Sequence, residues 1–459
     1  MLGSWIFRRV LRGSLNGVAC PPRRSFTQNG IQSNTRKRTS IAQHTRTNPK
    51  TRGLVTEAIP AFFVPPLMFI GLLVGLWTWK CFWIIVMQNK LLYLTWLPPF
   101  TRSEVISDYE AECRPVKWEE KQIRSLDGTK LAICEGRIPA TVRNKDTKTL
   151  PNHDVLRYQN QGVPNSKSKS KRSVVICYFQ GNGGSTPMRL PLLSQVLHAI
   201  CETSKSSPDG PLGVQYTEYT IVALSYRGYW TSSGHATQSG LEMDAQSCLK
   251  WVSETYGSPQ TDLEIVVWGH SLGAAVASSA VPTYIARRYQ EQLSDDSKDD
   301  QSLAPVSRLI LEAPTSSIKD MLISLYPQKW LPYRYLWPFS WNTWDIKASM
   351  RQMATWRDQN VVLERNSPPQ GQFSTLEATK TKCHYIPPIL LLSAEKDEVI
   401  PSYVPGQLEQ QAKSLGLPIK TKNVLGAMHT EAPLKLDGRK ALVEFILNGP
   451  HPLEKALKK

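Results

Sequence analysis

The stretch that decides the fold is Glu264-Ile-Val-Val-Trp-Gly-His-Ser-Leu-Gly273, which the small residues Ala274-Ala-Val-Ala-Ser-Ser-Ala280 follow. The apolar run predicts a buried strand, and the small residues predict a helix that begins directly after Ser271. A serine in a Gly-x-Ser-x-Gly string between a strand and a helix is typical of a nucleophile elbow. The sharp turn strains the backbone at the serine, and the flanking glycines remove side chains that would collide there. Ser271 is therefore the candidate nucleophile.

Apolar runs alternate with helical patterns along the rest of the chain, which predicts an α/β fold with a mostly parallel central sheet and helices on both faces. Val116–Arg124 and Lys130–Arg137 flank the turn Asp127-Gly128 and predict a hairpin. A closing helix is predicted over Gly438–Leu447. Further strands are predicted at Val174–Phe179, Thr220–Ser225, Glu264–Trp268, Arg308–Glu312, Pro388–Ser393 and Ile419–Val424.

A nucleophilic serine needs an adjacent base and a carboxylate that orients the base. After an elbow of this kind, the acid and then the histidine follow along the chain. Asp397 comes just after one buried strand and His429 just after the last strand, so both are expected at the sheet edge where carboxyl ends of parallel strands meet. We predict Asp397 as the acid and His429 as the base.

Alternatives to these two residues exist in the sequence. Glu398, next to Asp397, is a rival acid. His384 and His451 also follow the elbow, but His384 precedes a strand and His451 lies in the tail.

Two backbone amides are predicted to bind the oxyanion that forms in acyl transfer. One is the amide of Leu272, the residue after the serine. The other is the amide of Asn182 in the Gly-rich loop Gln180-Gly-Asn-Gly-Gly-Ser185. A phosphate cradle is the alternative for this loop, but the Lys-bearing phosphate-loop pattern is missing. The eight cysteines include no Cys-x-x-Cys pair, which argues against a zinc module and a small disulfide scaffold. The predicted serine chemistry needs neither a metal nor an organic cofactor.

Most of the positive charge lies in a leader. The chain of 459 residues has a net charge of +17, and residues 1–57 contain 11 Lys or Arg and one acid. An amphipathic, Arg- and Ser-rich, acid-poor start is typical of a mitochondrial transit peptide. A basic disordered tail beside anionic lipid, on an endomembrane protein, is the alternative. No nucleic-acid-binding module accompanies the charge, so no nucleic-acid partner is expected.

Residues 58–88 are predicted to span a membrane once. Residues 58–79 carry no charge, and apolar character resumes after Lys80. A buried core helix is the alternative. The upstream flank is the more basic one, which predicts that the N-terminus stays on the cytosolic or matrix side and the bulk of the chain lies across the membrane.

Residues 89–459 are predicted to form one domain with three insertions. Polar stretches at 138–172 and 290–304 indicate loops, and 316–387 is too long for a simple connection and indicates a cap. Aromatic side chains in the cap are expected mostly to pack on the core, with a few lining an acyl pocket. They are Tyr326, Trp330, Tyr333, Tyr335, Trp337, Phe339, Trp341, Trp344 and Trp356.

The sequence resembles the α/β-hydrolase superfamily, and within it the membrane-anchored abhydrolase-domain (bud-emergence-type) group. The resemblance covers roughly 88–137 and 173–447. It rests on Gly269–Gly273, Ser225–Gly234, Gly240–Ala245, Lys396–Ser402 and the stem that begins Gln88-Asn-Lys-Leu-Leu-Tyr-Leu94. The resemblance implies an α/β-hydrolase fold with an inserted cap after one transmembrane helix, and it places Ser271, Asp397 and His429 as nucleophile, acid and base.

The same resemblance implies a serine hydrolase that cleaves carboxylic esters or thioesters of lipid-like acyl groups through an acyl-enzyme. An acyl-protein, a monoacylglycerol or a lysolipid is the implied substrate. Two departures from the group are present: Gln180 stands where its members have His, and Thr430-Glu431 follows His429 where they have Asn-Asp. A non-catalytic membrane scaffold and a serine peptidase remain alternatives.

Overall fold

The computed structural model describes residues 60–139, 171–205, 217–293, 303–365 and 385–448. The predictions for the leader 1–57, for most of the loop 138–172 and for 294–302 fall outside these residues, as do His384 and His451.

The described helices and strands follow the predicted alternation. The strands are β1 (Lys117–Arg124), β2 (Lys130–Arg137), β3 (Lys171–Phe179), β4 (Thr217–Ser225), β5 (Thr261–His270), β6 (Val306–Glu312), β7 (Ile389–Ala394) and β8 (Ile419–Val424). The helices are α1 (Val64–Val86), α2 (Gln88–Tyr93), α3 (Glu110–Cys113), α4 (Leu190–Lys205), α5 (Gln238–Tyr256), α6 (Leu272–Leu293), α7 (Ile318–Leu325), α8 (Ile346–Arg365), α9 (Val404–Ser414) and α10 (Leu436–Asn448).

The described strands form one eight-stranded sheet in the order β1-β2-β4-β3-β5-β6-β7-β8. Strand β2 pairs antiparallel with β1 and β4, and the remaining pairs are parallel. This sheet, with a serine turn between β5 and α6, is the arrangement of an α/β-hydrolase. The predicted fold class is confirmed, and each predicted strand is present.

Helices cover both faces of the sheet. Successive side chains of a strand point to opposite faces, and alternate residues of β3 enter two separate clusters of buried side chains. Val175 and Cys177 pack with residues of α5, α6, α8 and α9, whereas Val174 and Ile176 pack with residues of α4 and α10. The carboxyl ends of β3, β5, β7 and β8 remain as the edge from which the candidate site residues emerge.

Helix α1 is the described helix that is long and apolar enough to cross a bilayer, with 23 residues. The chain divides into two units, Met1–Thr78 and Trp79–Lys459, and the boundary lies within α1. None of the α1 side chains is buried. A core helix of a soluble protein buries its apolar stripe, so this exposure favours the predicted membrane span over the core-helix alternative.

The described part of the predicted cap, 316–365, contains α7, α8 and two short 3-10 helices, Pro332–Tyr335 and Trp337–Phe339. Tyr333 and Trp344 are buried. The expectation that the aromatic side chains mostly pack on the core is wrong for five others, because short turns with proline run along the surface there. These five are Trp330, Tyr335, Trp337, Phe339 and Trp341.

The stem, residues 88–97, is fastened to the cap. The Tyr93 hydroxyl donates to Asn342 Oδ1 at 2.6 Å and accepts from Trp344 Nε1 at 3.1 Å. The side-chain oxygen of Gln88 accepts from the Trp341 amide at 3.0 Å. Hydrogen bonds of this kind, with a fully buried tyrosine at their centre, fix the cap segment against the stem.

Candidate active site

Ser271 lies in the turn between β5 and α6. Its φ angle is 53°, in the left-handed region that residues other than glycine seldom occupy. Its amide donates to the carbonyl oxygen of Glu312 on the neighbouring strand β6 at 2.8 Å. A side chain at Gly273 would collide with the carbonyl oxygens of Phe179 and Gln180 at the end of β3. The backbone at the serine thus has the strain and the close packing of an elbow.

Asp397 and His429 form a hydrogen-bonded pair. The Nδ1 atom of His429 lies 3.0 Å from Oδ1 and 2.9 Å from Oδ2 of Asp397, and both side chains are buried. Asp397 Oδ1 also accepts from the amides of Val399 and Ile400, at 2.9 and 2.7 Å. These contacts fix the carboxylate, so that an Nδ1–H points at it and the Nε2 atom of His429 is the one that can take a proton.

The structure brings the histidine loop to the elbow without joining the serine to the histidine. The rings of His270 and His429 have centroids 5.1 Å apart, so His429 lies beside the residue that precedes Ser271. The hydrogen bonds of His429 within the described ranges go to Asp397, Glu398 and His270, and none goes to the serine hydroxyl. Catalytic hydrogen bonds are often long in the absence of substrate and shorten in its complex.

Glu398, the rival acid, makes a different contact. Its Oε2 atom accepts from the backbone amide of His429 at 3.1 Å. Glu398 therefore holds the backbone of the histidine loop, whereas Asp397 contacts the imidazole ring. The geometry favours Asp397 as the acid.

The loop that follows β3 lies over the serine. A Cβ atom placed on Gly181 would come within 3.3 Å of Ser271 Cβ. The stem holds the far side of this loop, because the amide of Gly183 donates to the carbonyl oxygen of Tyr93 at 3.0 Å and that of Gly184 to Leu97 at 2.7 Å. The loop is thus fixed between the elbow and the stem.

The backbone amides of both predicted oxyanion donors have no hydrogen-bond acceptor within the described residues. The side chain of Asn182 donates to the carbonyl oxygen of Leu92 at 3.3 Å, while its backbone amide, like that of Gly181, has no backbone acceptor in the described part of the chain. Leu272 is the first residue of α6, so its amide has no acceptor in the helix. Free amides at such a position are the donors that an oxyanion needs.

Gln180, the residue that replaces histidine in the group's pattern, is buried within the loop. Its Oε1 atom accepts from the Thr186 hydroxyl at 3.0 Å, and its carbonyl oxygen accepts from the Tyr226 hydroxyl at 3.1 Å. Its Nε2 atom has no partner among the described residues. An unpaired buried donor costs about 1–3 kcal/mol of folding free energy. Gln180 in place of histidine therefore carries this cost in the stability of the loop.

A buried polar cluster behind the serine is not found by sequence reasoning. His270 Nδ1 lies 3.5 Å from Arg189 Nη2, and His270 Nε2 lies 3.3 Å from the carbonyl oxygen of His429. Glu312 Oε1 is 3.9 Å from His270 Nε2, and Glu312 Oε2 accepts from Trp268 Nε1 at 2.9 Å. The cluster supports the backbone at both Ser271 and His429. Its only sequence signals are the position of His270 inside the motif and of Glu312 at the end of a strand.

Burial governs the ionisation of this cluster. It raises the pKa of the Glu312 carboxyl to about 8, with the charge of Arg189 and the Trp268 hydrogen bond acting in the opposite direction. Burial also lowers the pKa of His270 well below its usual range, and the charges of Arg189 and His429 lower it further. Near neutral pH the 3.9 Å contact therefore joins a neutral imidazole to a mostly protonated carboxyl, and it is not an ion pair.

A cavity of about 250 Å³ opens beside Asp397. Its walls include Leu391, Ile400 and Pro405, but neither Ser271, His429 nor any cap aromatic lines it. It is therefore not the acyl pocket expected beneath the cap. No group of three or more His, Cys, Asp or Glu that could hold a metal occurs among the described residues.

Comparison with known proteins gives relatives that share part of this chain. Protein bem46 of Schizosaccharomyces pombe is 24% identical over 260 residues, which are 57% of this chain and 60% of that protein. Lysophosphatidylserine lipase ABHD12 of Xenopus tropicalis is 31% identical over 187 residues, which are 40% of this chain and 37% of the lipase. The match therefore spans less than two thirds of the length of these relatives. No protein-family model matches the chain.

Among solved structures, the chain is similar to an α/β hydrolase from Vibrio vulnificus. It is 13% identical, has a TM-score of 0.44, and the match covers 79% of this chain and 92% of that one. The esterase Pf2001 of Pyrococcus furiosus is 12% identical with a TM-score of 0.40, over 75% of this chain and 93% of that one.

Proposed function

We propose that this chain, which is similar over part of its length to protein bem46 and to lysophosphatidylserine lipase ABHD12, is a membrane-anchored serine hydrolase of the α/β-hydrolase superfamily. It cleaves carboxylic esters or thioesters of lipid-like acyl groups through a covalent acyl-enzyme. The observation that carries the proposal is the Asp397–His429 pair, 2.9 Å apart, beside a serine with a φ of 53° in an elbow.

In the first half of the reaction Ser271 Oγ attacks the acyl carbon, and His429 Nε2 takes the hydroxyl proton. The amides of Leu272 and Asn182 stabilise the oxyanion. The intermediate collapses, the bond to the leaving oxygen or sulfur breaks, and His429 gives its proton to that atom. Asp397 orients the imidazole and stabilises its charged form throughout.

In the second half a water molecule attacks the acyl-enzyme, with His429 as general base. The carboxylic acid leaves, and Ser271 regains its proton. No cofactor takes part in either half.

Two observations support a lipid-like acyl group. One relative bears the name lysophosphatidylserine lipase. The segment that carries His429 also has exposed apolar side chains, Leu425, Met428, Leu434 and Leu436. Exposed apolar groups that cluster near a site mark a surface for apolar partners. Lysolipid, monoacylglycerol and acyl-protein are the proposed substrates.

A fluorophosphonate probe tests the chemistry. The wild-type protein is expected to be labelled, and Ser271→Ala is expected to abolish labelling without loss of structure. Ser278→Ala is the matched control, since Ser278 is a buried serine of α6 whose hydroxyl donates, within the described residues, to the Ala275 carbonyl oxygen. Labelling that persists in Ser271→Ala would place the nucleophile elsewhere. A folded wild type that does not react would support the scaffold alternative.

A substrate panel separates the enzyme classes. Thioesters, lysolipids and monoacylglycerols of graded chain length are compared with peptide substrates at equal concentration. Faster turnover of peptides would indicate a serine peptidase and contradict the proposal.

We also propose that α1 anchors the protein in a membrane as a single span, with mitochondria as the favoured compartment and the endomembrane system as the alternative. Protease accessibility of a tag placed after Lys459, measured in isolated mitochondria, tests compartment and orientation together. A tag that stays with the endomembrane fraction would contradict the mitochondrial assignment.

A further inference from the structure

Six large apolar side chains between Leu325 and Trp341 are exposed, with 40% to 66% of their surface accessible. We name them the aromatic face; they are Leu325, Trp330, Tyr335, Trp337, Phe339 and Trp341. Single exposed apolar residues are normal on a protein surface, but several within one short segment mark an interaction surface. The segment contains two short 3-10 helices, Pro332–Tyr335 and Trp337–Phe339, and the described part of the chain leaves at least 40% of each of these side chains exposed.

The aromatic face lies where α1 ends. The ammonium group of Lys80, in the last two turns of α1, is 4.6 Å from the centre of the Tyr333 ring. Gln88, the first residue of α2, accepts from the Trp341 amide at 3.0 Å and donates to the Phe339 carbonyl oxygen at 3.4 Å. The segment is therefore fastened to the chain on both sides of the point where α1 gives way to the stem.

The chemistry of the segment suits the headgroup region of a bilayer. Residues 325–341 contain no Asp or Glu and two cations, Lys329 and Arg334. A third cation, the ammonium group of Lys319, lies 4.2 Å from the centre of the Trp337 ring. Trp and Tyr are enriched at membrane interfaces, and Lys and Arg beside them are attracted to anionic lipid.

We propose that the aromatic face is a second membrane contact, inserted into the headgroup region of the same bilayer that α1 spans. Two membrane contacts, α1 before the stem and the aromatic face of the cap beside it, hold the stem and the cap at the membrane surface. This inference rests on the proposed anchor α1 and not on the proposed ester chemistry.

Lipid-borne quenching tests the contact directly. Full-length protein is placed in phosphatidylcholine vesicles whose acyl chains carry bromine close to the headgroup. The variant Trp330→Phe/Trp337→Phe/Trp341→Phe keeps the apolar rings but removes three indoles, and it is expected to lose the quenched fluorescence that these indoles contribute. Trp251→Phe is the control, because Trp251 packs on Tyr256 at the end of α5. An equal quenched component in the triple variant and the wild type would overturn the inference.

Enzyme kinetics tests the effect of the aromatic face on the turnover of a membrane-embedded ester. Changing the same three residues to serine is expected to raise the apparent KM for an ester embedded in vesicles by about tenfold or more. Turnover of a water-soluble ester and fluorophosphonate labelling should be unchanged, and Tyr403→Ser, at an exposed tyrosine before α9, should change neither. An unchanged KM on vesicles would contradict the inference.

Further outcomes separate this inference from its premises. Extraction of the wild type from vesicles by alkaline carbonate would show that the anchor proposal fails. Loss of all ester turnover with quenching intact would show that only the chemistry fails. If the serine variant instead turns a dimer into a monomer in nanodiscs, with no change in quenching, the aromatic face is a contact between two copies and the membrane inference is wrong.

Discussion

The amide of Gly183 donates to the carbonyl oxygen of Tyr93 at 3.0 Å, which joins the Gly-rich loop after β3 to the stem that follows α1. Gly183 is separated by one residue from Gly181, where an added Cβ atom would lie 3.3 Å from Ser271 Cβ. The hydroxyl of the same Tyr93 is bonded to Asn342 in the cap. The Gly-rich loop, the stem and the cap therefore share one buried tyrosine. The loop is also tied to the stem by hydrogen bonds from Gly184 to Leu97 and from Asn182 to Leu92, so a displacement of the stem would reach the loop.

Gly183→Ala tests whether this fixed loop matters for the chemistry. Gly183 has a φ of +67°, and a Cβ atom there would lie 3.2 Å from the Leu97 carbonyl oxygen. The left-handed backbone costs a residue with a side chain roughly 1–2 kcal/mol, so the loop is expected to shift. We expect kcat for a soluble ester to fall by about tenfold, since each 1.4 kcal/mol lost from the transition state is tenfold in rate.

Gly406→Ala is the control for that substitution. Gly406 lies in α9 with a φ outside the positive range and has open space around it. Alanine in a helix is favoured over glycine by about 0.5–1 kcal/mol, so this variant should keep both its kcat and its fold. If Gly183→Ala is folded and matches wild-type kcat, the loop position does not limit the reaction.

Tyr93→Phe tests the joint between the stem and the cap. Loss of the hydroxyl leaves Asn342 Oδ1 and Trp344 Nε1 without this buried partner. An unsatisfied buried polar group costs about 1–3 kcal/mol, so the free energy of unfolding in urea should fall by that amount. Tyr335→Phe is the control: its hydroxyl donates to the Lys329 carbonyl oxygen at an exposed position, and its loss should cost less than about 0.5 kcal/mol. Equal costs would contradict a structural role for the buried joint.

The sequence predicts the sheet well because its strands are short apolar runs separated by turn residues. The start of β3 shows where this signal fails. The polar pattern predicts a loop over 138–172, yet Lys171 and Arg172 belong to the strand. Arg172 Nη2 lies 2.6 Å from Glu264 Oε1 on β5, and Arg308 of β6 binds Oε2 of the same glutamate at 3.1 Å. Charged residues enter the sheet there because distant strands supply their partners, which no local pattern records.

The candidate site likewise contains residues that the sequence predicts and residues that it does not. Ser271, Asp397 and His429 can be proposed from the sequence because each follows a strand, and such positions converge at one edge. Arg189 has no such signal, and Glu312 has only its place at the end of β6, since their contacts depend on how β6 and the 3-10 helix Pro187–Arg189 come together behind the elbow. The same holds for the stem carbonyl oxygens that fix the Gly-rich loop. The exposure of five cap aromatic side chains is not predicted either, because composition does not show whether a tryptophan side chain packs in the core.

Glu312→Gln tests the pH dependence that burial of this carboxyl imposes. Its pKa is raised from 4.5 to about 8 in the folded chain, so between these values the folded state binds a proton that the unfolded state has lost. The contribution of this carboxyl to the free energy of unfolding is therefore highest below pH 4.5. It falls as the pH rises toward 8, by up to about 1.4 kcal/mol per pH unit. The variant should remove this decline in thermal melts taken from pH 5 to 9.

Glu254→Gln is the matched control, because Glu254 is an exposed residue of α5 paired with Lys250. It should leave the slope of stability against pH unchanged. His270 has the opposite effect on stability. Its pKa is lowered in the folded chain, so the stability that its neutral imidazole contributes is present at pH values above the usual pKa of histidine and is lost as the pH falls. A wild type whose stability rises between pH 5 and 8, with no change in Glu312→Gln, would show that the carboxyl is ionised in the folded chain.

Asp397→Asn and Glu398→Gln together decide which carboxylate orients the base. The asparagine can present its amide to His429 Nδ1, which favours the tautomer that carries the proton on Nε2 and cannot accept one from the serine. We expect kcat to fall by about 10³–10⁴-fold with little change in KM. Glu398→Gln keeps an oxygen for the His429 amide, now 3.1 Å from Oε2, and should cost less than about tenfold, as expected for loss of a single charged acceptor. Steady-state kinetics on a soluble thioester measures both, and a larger loss in Glu398→Gln would assign the acid to Glu398.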